Sequence, residues 1–167
     1  MLIRPATTTD FDALRANELA AFETLRAAGA VGGFPSASSD QQLQRYLDDG
    51  FLDVACDPSG DAIGFCGGYI AEHLLHIGEM DVHPARQRHG VGRALLTAAL
   101  DKARAQKLDG ATLTTDRFAP FNAPFYATMG FRALAGDELP ARLREILTEE
   151  AKIGLDPARR VAMMLRF

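Results

Sequence analysis

Apolar residues in the N-terminal third recur at spacings of three and four, at Phe11, Leu14, Glu18/Leu19, Phe22 and Leu25. That is the period of one helix face. Thr8, Thr9 and Asp10 offer a cap before it and Gly29 a stop behind it, so the pattern predicts a helix between them. Ahead of it, Leu2-Ile3-Arg4 closed by Pro5 predicts a short edge strand. Gly29 to Ser39 (GAVGGFPSASS) reads as a loop. Ser39-Asp40 then caps a short second helix that turns Leu43, Tyr46 and Leu47 inward and ends at Gly50.

The period then changes. Phe51 to Cys56 reads as a strand, Asp57-Pro58-Ser59-Gly60 as a tight turn with Pro at its second place, and Ala62 to Ala71 as the return strand. That turn places Cys56 opposite Ile63 and Cys66 opposite Asp53, so no disulfide is expected. Leu75 to Val82 is a further strand stopped by Pro84. Val91 to Gln106 is a helix with Val91, Leu95, Ala98, Ala99 and Lys102/Ala103 along one side. Asp109-Gly110 turns into the β-branched strand Ala111 to Thr115. A short helix (Asn122 to Met129), a strand (Phe131 to Ala135), a charged helix (Leu139 to Lys152, burying Leu143, Ile146, Leu147 and Ala151) and a last strand (Val161 to Leu165) complete the chain. The order β-α-α-β-β-β-α-β-α-β-α-β, without repeat or linker, implies a mixed sheet with helices on its faces.

At 167 residues, 47% hydrophobic and 24% charged, the chain has the size and balance of one globular domain spanning residues 1–167. No apolar run approaches the ~18 residues of a membrane span. The start, MLIRPATTTDFDAL, lacks a secretory h-region. Two cysteines are too few for a disulfide framework. A reducing cytoplasm is therefore expected, with no membrane association. A net charge of −4 argues against a general nucleic-acid partner.

The charge has one local exception: Arg86, Arg88, His89 and Arg93 lie in the loop Val82 to Leu96, where a strand gives way to two glycines and then to a helix. Free backbone N–H groups and the helix dipole make such a start an anion site. The dinucleotide fingerprint fails here, because Leu95 stands where its third glycine belongs. Gly-Lys-Ser/Thr, needed for a nucleotide-hydrolase loop, is absent.

Gln87-Arg88-His89-Gly90-Val91-Gly92 resembles the Q/R-x-x-G-x-G/A signature of the GNAT superfamily of acyl-CoA-dependent N-acetyltransferases. Val82-x-Pro84, Leu95-Leu96 and the segment Tyr126-Ala-Thr-Met-Gly130-Phe131 are similar to that superfamily as well, as is the order of elements. The resemblance implies an α+β (mixed α/β) fold: a central, mostly antiparallel mixed sheet of about six or seven strands, its parallel central pair splayed, flanked by about four or five helices. It implies acetyl-CoA as co-substrate, no metal, and direct transfer of the acetyl group to a primary amine in a ternary complex. The diphosphate would lie on the backbone of Arg88, His89, Gly90, Val91, Gly92 and Arg93 beside Gln87, and the pantetheine arm along Met80, Asp81 and Val82, with Phe125 close by. Tyr126 falls at the general-acid position. Asn122 offers either a pantetheine contact or an N-cap; the position where the family commonly has an Asn is Ala119.

The general base would come from the strand before the Gly-rich loop, which offers Glu79 and then His76, with Asp81 beside them. Regular alternation puts Glu79 and Asp81 on one face and His76 on the other with Met80 and Val82, an order that a bulge would break. By the same alternation His73, His76 and Glu79 do not converge on a metal. Cys56 and Cys66, in apolar strands without a His partner, read as core rather than nucleophiles. The acceptor, a small-molecule or peptide amine, would be shaped by residues 29–39 and 136–160. Glu72, Glu79 and Asp81 would make that side acidic. The charged helix is read as structural or as the surface of a homodimer. The alternative on the same fold is a non-catalytic acyl-CoA sensor or interaction module.

Overall fold

A computed structural model describes residues 1–167. In chain order it contains β1 (Leu2–Pro5), α1 (Phe11–Ala27), α2 (Asp40–Asp48), β2 (Leu52–Cys56), β3 (Ala62–Ala71), β4 (Leu74–Val82), α3 (Val91–Ala105), β5 (Gly110–Asp116), α4 (Ala123–Thr128), β6 (Arg132–Leu134), α5 (Ala141–Lys152) and β7 (Arg160–Arg166). All seven strands join one sheet in the order β1-β2-β3-β4-β5-β7-β6. Every pairing is antiparallel except β4 with β5. The expected mixed α/β architecture, with five helices about a mostly antiparallel sheet, is what forms. No helix is long and apolar enough to cross a membrane.

Two irregularities shape the centre. The parallel pair holds through only Leu75 with Ala111 and His76 with Thr112, after which β4 and β5 diverge. In β4, Gly78 is an extra residue: Ile77 faces Gly68 and Glu79 faces Gly67, so Gly78 bulges between them. Glycine is required there because a Cβ would collide with the Tyr46 hydroxyl from α2.

The bulge corrects the expectation from regular alternation. Leu75 and Ile77, then Met80 and Val82, pack on the α3 side in the largest core cluster. His76 touches Tyr69 and Thr112, and Glu79 and Asp81 meet Glu18 of α1. His76 thus joins the acids on one face, and the spacing argument against a shared site for His76 and Glu79 fails at this point.

The α3 face buries Leu95, Leu96 and Leu113 almost completely. Each such side chain contributes about 1.5–3 kcal/mol of hydrophobic burial. A second cluster sets Phe11, Leu14, Leu43 and Tyr46 of α1 and α2 on β2 and β3, and a third sets Leu143 of α5 against Ala162 and Met164 of β7. Two helix readings shift. Leu19 is exposed and Glu18 takes the inward place, because a 3.6-residue repeat from Phe11 and Leu14 reaches position 18. Ala151 is exposed near the end of α5. The strand register pairs Asp53 with Cys66 and, after a shift at Cys56, Cys56 with Ala62. Both cysteines are buried and unbridged.

Candidate active site

The loop from β4 to α3 is folded by its own side chains. Gln87 Nε2 donates to the Val82 carbonyl at 3.0 Å, tying the loop to the strand end. Arg86 pairs with Asp57 at 3.0 Å. Gly90 adopts φ +82, left-handed backbone that glycine takes without a Cβ penalty, and α3 starts directly after it. The result is a run of backbone N–H groups from Arg88 to Arg93 that donate to no backbone carbonyl. Gly92 presents no side chain over Met80 and Val82. Arg93 reaches across to α4, with Nη2 donating to Thr128 Oγ1 at 2.9 Å and its guanidinium 5.8 Å from the centre of the Phe125 ring. His89 Nδ1 lies 2.7 Å from the Gln87 carbonyl oxygen, whereas the exposed Arg88 side chain makes no hydrogen bond or ion pair.

The divergence of β4 and β5 opens beside this loop. Beyond His76 the β5-side edge of β4, through Met80, Asp81 and Val82, has no ladder partner. Across the gap, Asn122 Nδ2 donates to Thr115 Oγ1 of β5 at 2.7 Å. Asn122 occupies the N-cap place of α4 but makes no side-chain cap, and its Oδ1 is buried without a partner. Asp116, fully buried at the end of β5, accepts from the Phe118 and Ala119 N–H groups and from Arg159, which fixes the chain leading into α4.

That helix carries Tyr126 inward against Phe125 and Phe131, with ring centroids 5.2 and 5.8 Å away. Burial pushes the phenol well above its ordinary value, and the charges of Cys66, Glu79 and Asp81 push it the same way. Tyr126 therefore keeps its proton and stands in the electrostatic reach of the strand acids. Burial also raises the Cys66 thiol, which suppresses the thiolate a nucleophile needs.

On the opposite face of β4, carboxylate oxygens of Glu18, Glu79 and Asp81 lie within 4.8 Å of one another. Burial raises all three carboxyls. Next to burial, Asp81 and Glu18 act on Glu79, and Glu18 on Asp81, whose pKa is pushed up to about 7. Like charges held this close favour a shared proton. Asp81 Oδ2 is buried with no partner. Glu18 in turn accepts the Ser38 N–H at 2.8 Å, which draws the end of the loop between α1 and α2 down onto the acids.

His76 stands apart from this trio. Its Nδ1 is 3.0 Å from Thr112 Oγ1, and burial, with Arg142 and Arg45 nearby, pushes its pKa down to about 3. Glu72, expected on the acidic side, sits in the turn between β3 and β4 and pairs with Arg142 at 3.1 Å. His73, in the same turn, lies 3.4 Å from Asp109.

The sequence reading missed Glu18, Ser38, Tyr46 as a shaping group, Arg45 and Arg142. The available signal for Glu18 was a charged residue on the inward stripe of an amphipathic helix. For the others no local motif exists, because the chain brings them together only through the sheet.

A strand, a Gly-rich loop and a helix start beside a split parallel pair are the frame of an acyl-CoA-dependent transferase fold. The family model of the acetyltransferase (GNAT) family matches residues 18–131, and the chain belongs to that family. Its fold is similar to that of the ribosomal-protein-alanine N-acetyltransferase from Brucella melitensis, with TM-score 0.72 and 20% identity over 100% of both chains. It is also similar to N-acetylglutamate synthase from Neisseria gonorrhoeae, solved with coenzyme A and N-acetyl-glutamate, with TM-score 0.71 and 20% identity over 99% of this chain and 34% of that one. This chain thus spans about a third of that enzyme. The PaiA N-acetyltransferase from Thermoplasma acidophilum, solved with coenzyme A, gives TM-score 0.66 at 13% identity over 99% and 98% of the two chains. At these identities the likeness is one of fold.

Proposed function

We propose that this chain is an N-acetyltransferase that passes an acetyl group from acetyl-CoA directly to a primary amine, as one domain of residues 1–167 in the cytoplasm. The observation that carries the reading is the placement of the β4–β5 split. Bare amides from Arg88 to Arg93 stand on one side of it and the Glu18, Glu79 and Asp81 carboxyls on the other.

The residues present fit acetyl-CoA. The N–H groups of Arg88, His89, Gly90, Val91, Gly92 and Arg93 suit a diphosphate, aided by the helix dipole and the free charge of Arg88. Gln87 acts by holding that loop to the strand. The unpaired edge of Met80, Asp81 and Val82 suits the amides of pantetheine as an added strand would. The Asn122 Oδ1 is a buried acceptor for which the protein supplies no donor. Phe125 adds apolar cover. Bound acetyl-CoA supplies the thioester carbonyl carbon that the amine attacks.

The chain's own groups then manage protons. A free alkylamine, like lysine, has a pKa near 10 and arrives charged. The acid trio attracts that ammonium ion. Asp81, pushed up to about 7, and Glu79, raised beside it, take its proton, and a base that titrates near the working pH is the most useful. His76 is a far weaker base at its depressed pKa and is assigned to shaping the floor. A backbone N–H on the open edge of β4 donates a hydrogen bond to the carbonyl oxygen as negative charge develops there. Tyr126 donates a hydrogen bond to the departing sulfur, which the proton follows; the second amine proton leaves to solvent as the amide forms, and Tyr126 is reprotonated from there. Cys66 forms no acyl-enzyme in this scheme.

The test is release of free thiol from acetyl-CoA over a panel of primary amines, with initial rates at varied concentrations of both substrates. Intersecting patterns and an N-acetylated product are expected. Tight coenzyme binding with no turnover on any amine would overturn transfer in favour of an acyl-CoA sensor, and parallel ping-pong patterns would overturn direct attack.

A further inference from the structure

The acceptor face has two ends of opposite charge. Tyr46, Tyr69 and His76 form a row along it: Tyr46 and Tyr69 lie parallel with centroids 6.4 Å apart, and Tyr69 lies 5.0 Å from His76. At the Tyr46 end, beside Gly78, stand the carboxyls of Glu18, Glu79 and Asp81. At the other end stand two arginines. The Arg45 guanidinium lies 3.6 Å over the Tyr69 ring and pairs with no carboxylate. Arg142 Nη2 donates to Thr112 Oγ1 at 3.1 Å, and that oxygen is 3.0 Å from His76. Arg142 Nε is used by the exposed Glu72, but its Nη1 is buried with no acceptor.

Arg142 thus holds a charged donor that the protein does not satisfy, and Arg45 offers a guanidinium already stacked and oriented. Arginine suits a carboxylate because its planar fork matches two oxygens. Burial, with the two arginines nearby, keeps His76 neutral, so the ring adds no competing charge between the two ends. A purely cationic acceptor, such as a polyamine, would meet like charge at this end.

We infer that the acceptor carries a carboxylate several bonds from its amine, and that Arg45 and Arg142 bind that carboxylate while the Glu18, Glu79 and Asp81 end takes the amine. The placement of the amine rests on the transfer reading above. The ring row is longer than the reach between the amine and carboxylate of one α-amino acid. An ω-amino acid, an acidic side chain or a short peptide terminus fits it better.

Three probes that share a primary amine and a five-carbon chain but differ at the far end separate the cases: 5-aminopentanoate, pentylamine and 1,5-diaminopentane. Each is measured for kcat/KM by thiol release and for binding to the coenzyme A-loaded protein by calorimetry. We expect 5-aminopentanoate to exceed pentylamine about tenfold or more, chiefly through KM, and 1,5-diaminopentane to be the poorest. Arg142→Gln and Arg45→Gln should each draw the ratio of the first two toward one, whereas Arg142→Lys should restore part of it. The ratio is internal to each variant, so a general loss of stability does not mimic the result. Turnover of pentylamine or 1,5-diaminopentane at least equal to that of 5-aminopentanoate overturns this inference and leaves acetyl transfer standing. An arginine-dependent binding preference for 5-aminopentanoate without turnover sustains the inference and defeats the transfer reading. Equal binding of all three without turnover defeats both.

Discussion

Tyr46 sets its hydroxyl over Gly78 in the place that a Cβ would take, and its ring edge stands in the same way over Gly67. Gly67 faces Glu79, the residue that follows the unpaired Gly78, so one aromatic ring from α2 closes over the bulge that turns Glu79 toward Glu18. Gly78→Ala should therefore cost about 1–3 kcal/mol, the range for overpacking a filled site. It should also move Glu79 off its line and lower kcat more than the stability loss explains. Denaturant unfolding beside kcat at saturating substrates measures the two effects. A destabilised but fully active variant would show that the ring merely fills space.

Tyr126→Phe removes one oxygen from a packed ring. Expected is a fall in kcat of roughly 10²–10⁴, the span of a positioned proton donor, with little change in affinity for coenzyme A. Because burial holds the phenol above its ordinary value, the native enzyme should show no alkaline decline from Tyr126 ionising up to about pH 10. A steep fall between pH 8 and 9 would contradict that protonation state.

Glu79 and Asp81 are expected to produce a rising limb of kcat/KM near neutrality, since Asp81 titrates at about 7 and Glu79 is raised beside it. Glu79→Gln should lower kcat by about a hundredfold and flatten that limb. A limb that survives in Glu79→Gln and vanishes in Asp81→Asn would move the base to Asp81.

Stability carries the same signature with a definite sign. Folding raises the Asp81 pKa from 3.8 to about 7, so the folded state holds the proton more tightly. Below pH 4 both folded and unfolded chains are protonated, and stability falls as pH rises through the interval up to 7. Asp81→Asn should raise Tm by about 2–8 °C at pH 8 and leave it unchanged at pH 4. His76 acts oppositely, because its pKa is depressed from 6.5 to about 3. Its contribution is present above pH 6.5 and lost as pH falls toward 3. Subtracting the variant's curve from the native one isolates Asp81. An equal Tm gain at both pH values would refute the assignment.

The order of elements was legible because each carries local signals. Ser39 with Gln42 makes a capping box, Asp57 to Gly60 a turn, and Leu95 with Leu96 a buried helix face. The Gly90–Gly92 helix start was legible because its chemistry lies in consecutive backbone amides. The acid trio was only half visible. Glu79 and Asp81 neighbour each other in sequence, but Glu18 arrives from α1, and Leu19 beside it looked like the natural inward residue. The face of His76 depended on one bulged glycine, which alternation alone does not place. Arg45 and Arg142 lie on separate helices, and only the sheet places them on either side of His76, at Tyr69 and Thr112.

With β4 and β5 joined through only two residue pairs, the sheet is nearly two panels. What spans them is α3, which packs on β3, β4 and β5 together through side chains such as Leu95 and Leu96. The panels are thus riveted along one face by oil, while on the other Leu74 of β4 joins Leu143 of α5 and Met164 of β7 only at the paired end, and the far end is left unlaced. Spreading them would tear that greasy seam, whereas the acidic face can breathe, so exchange of buried amides for deuterium should be slow behind α3 and fast along the lips of the cleft.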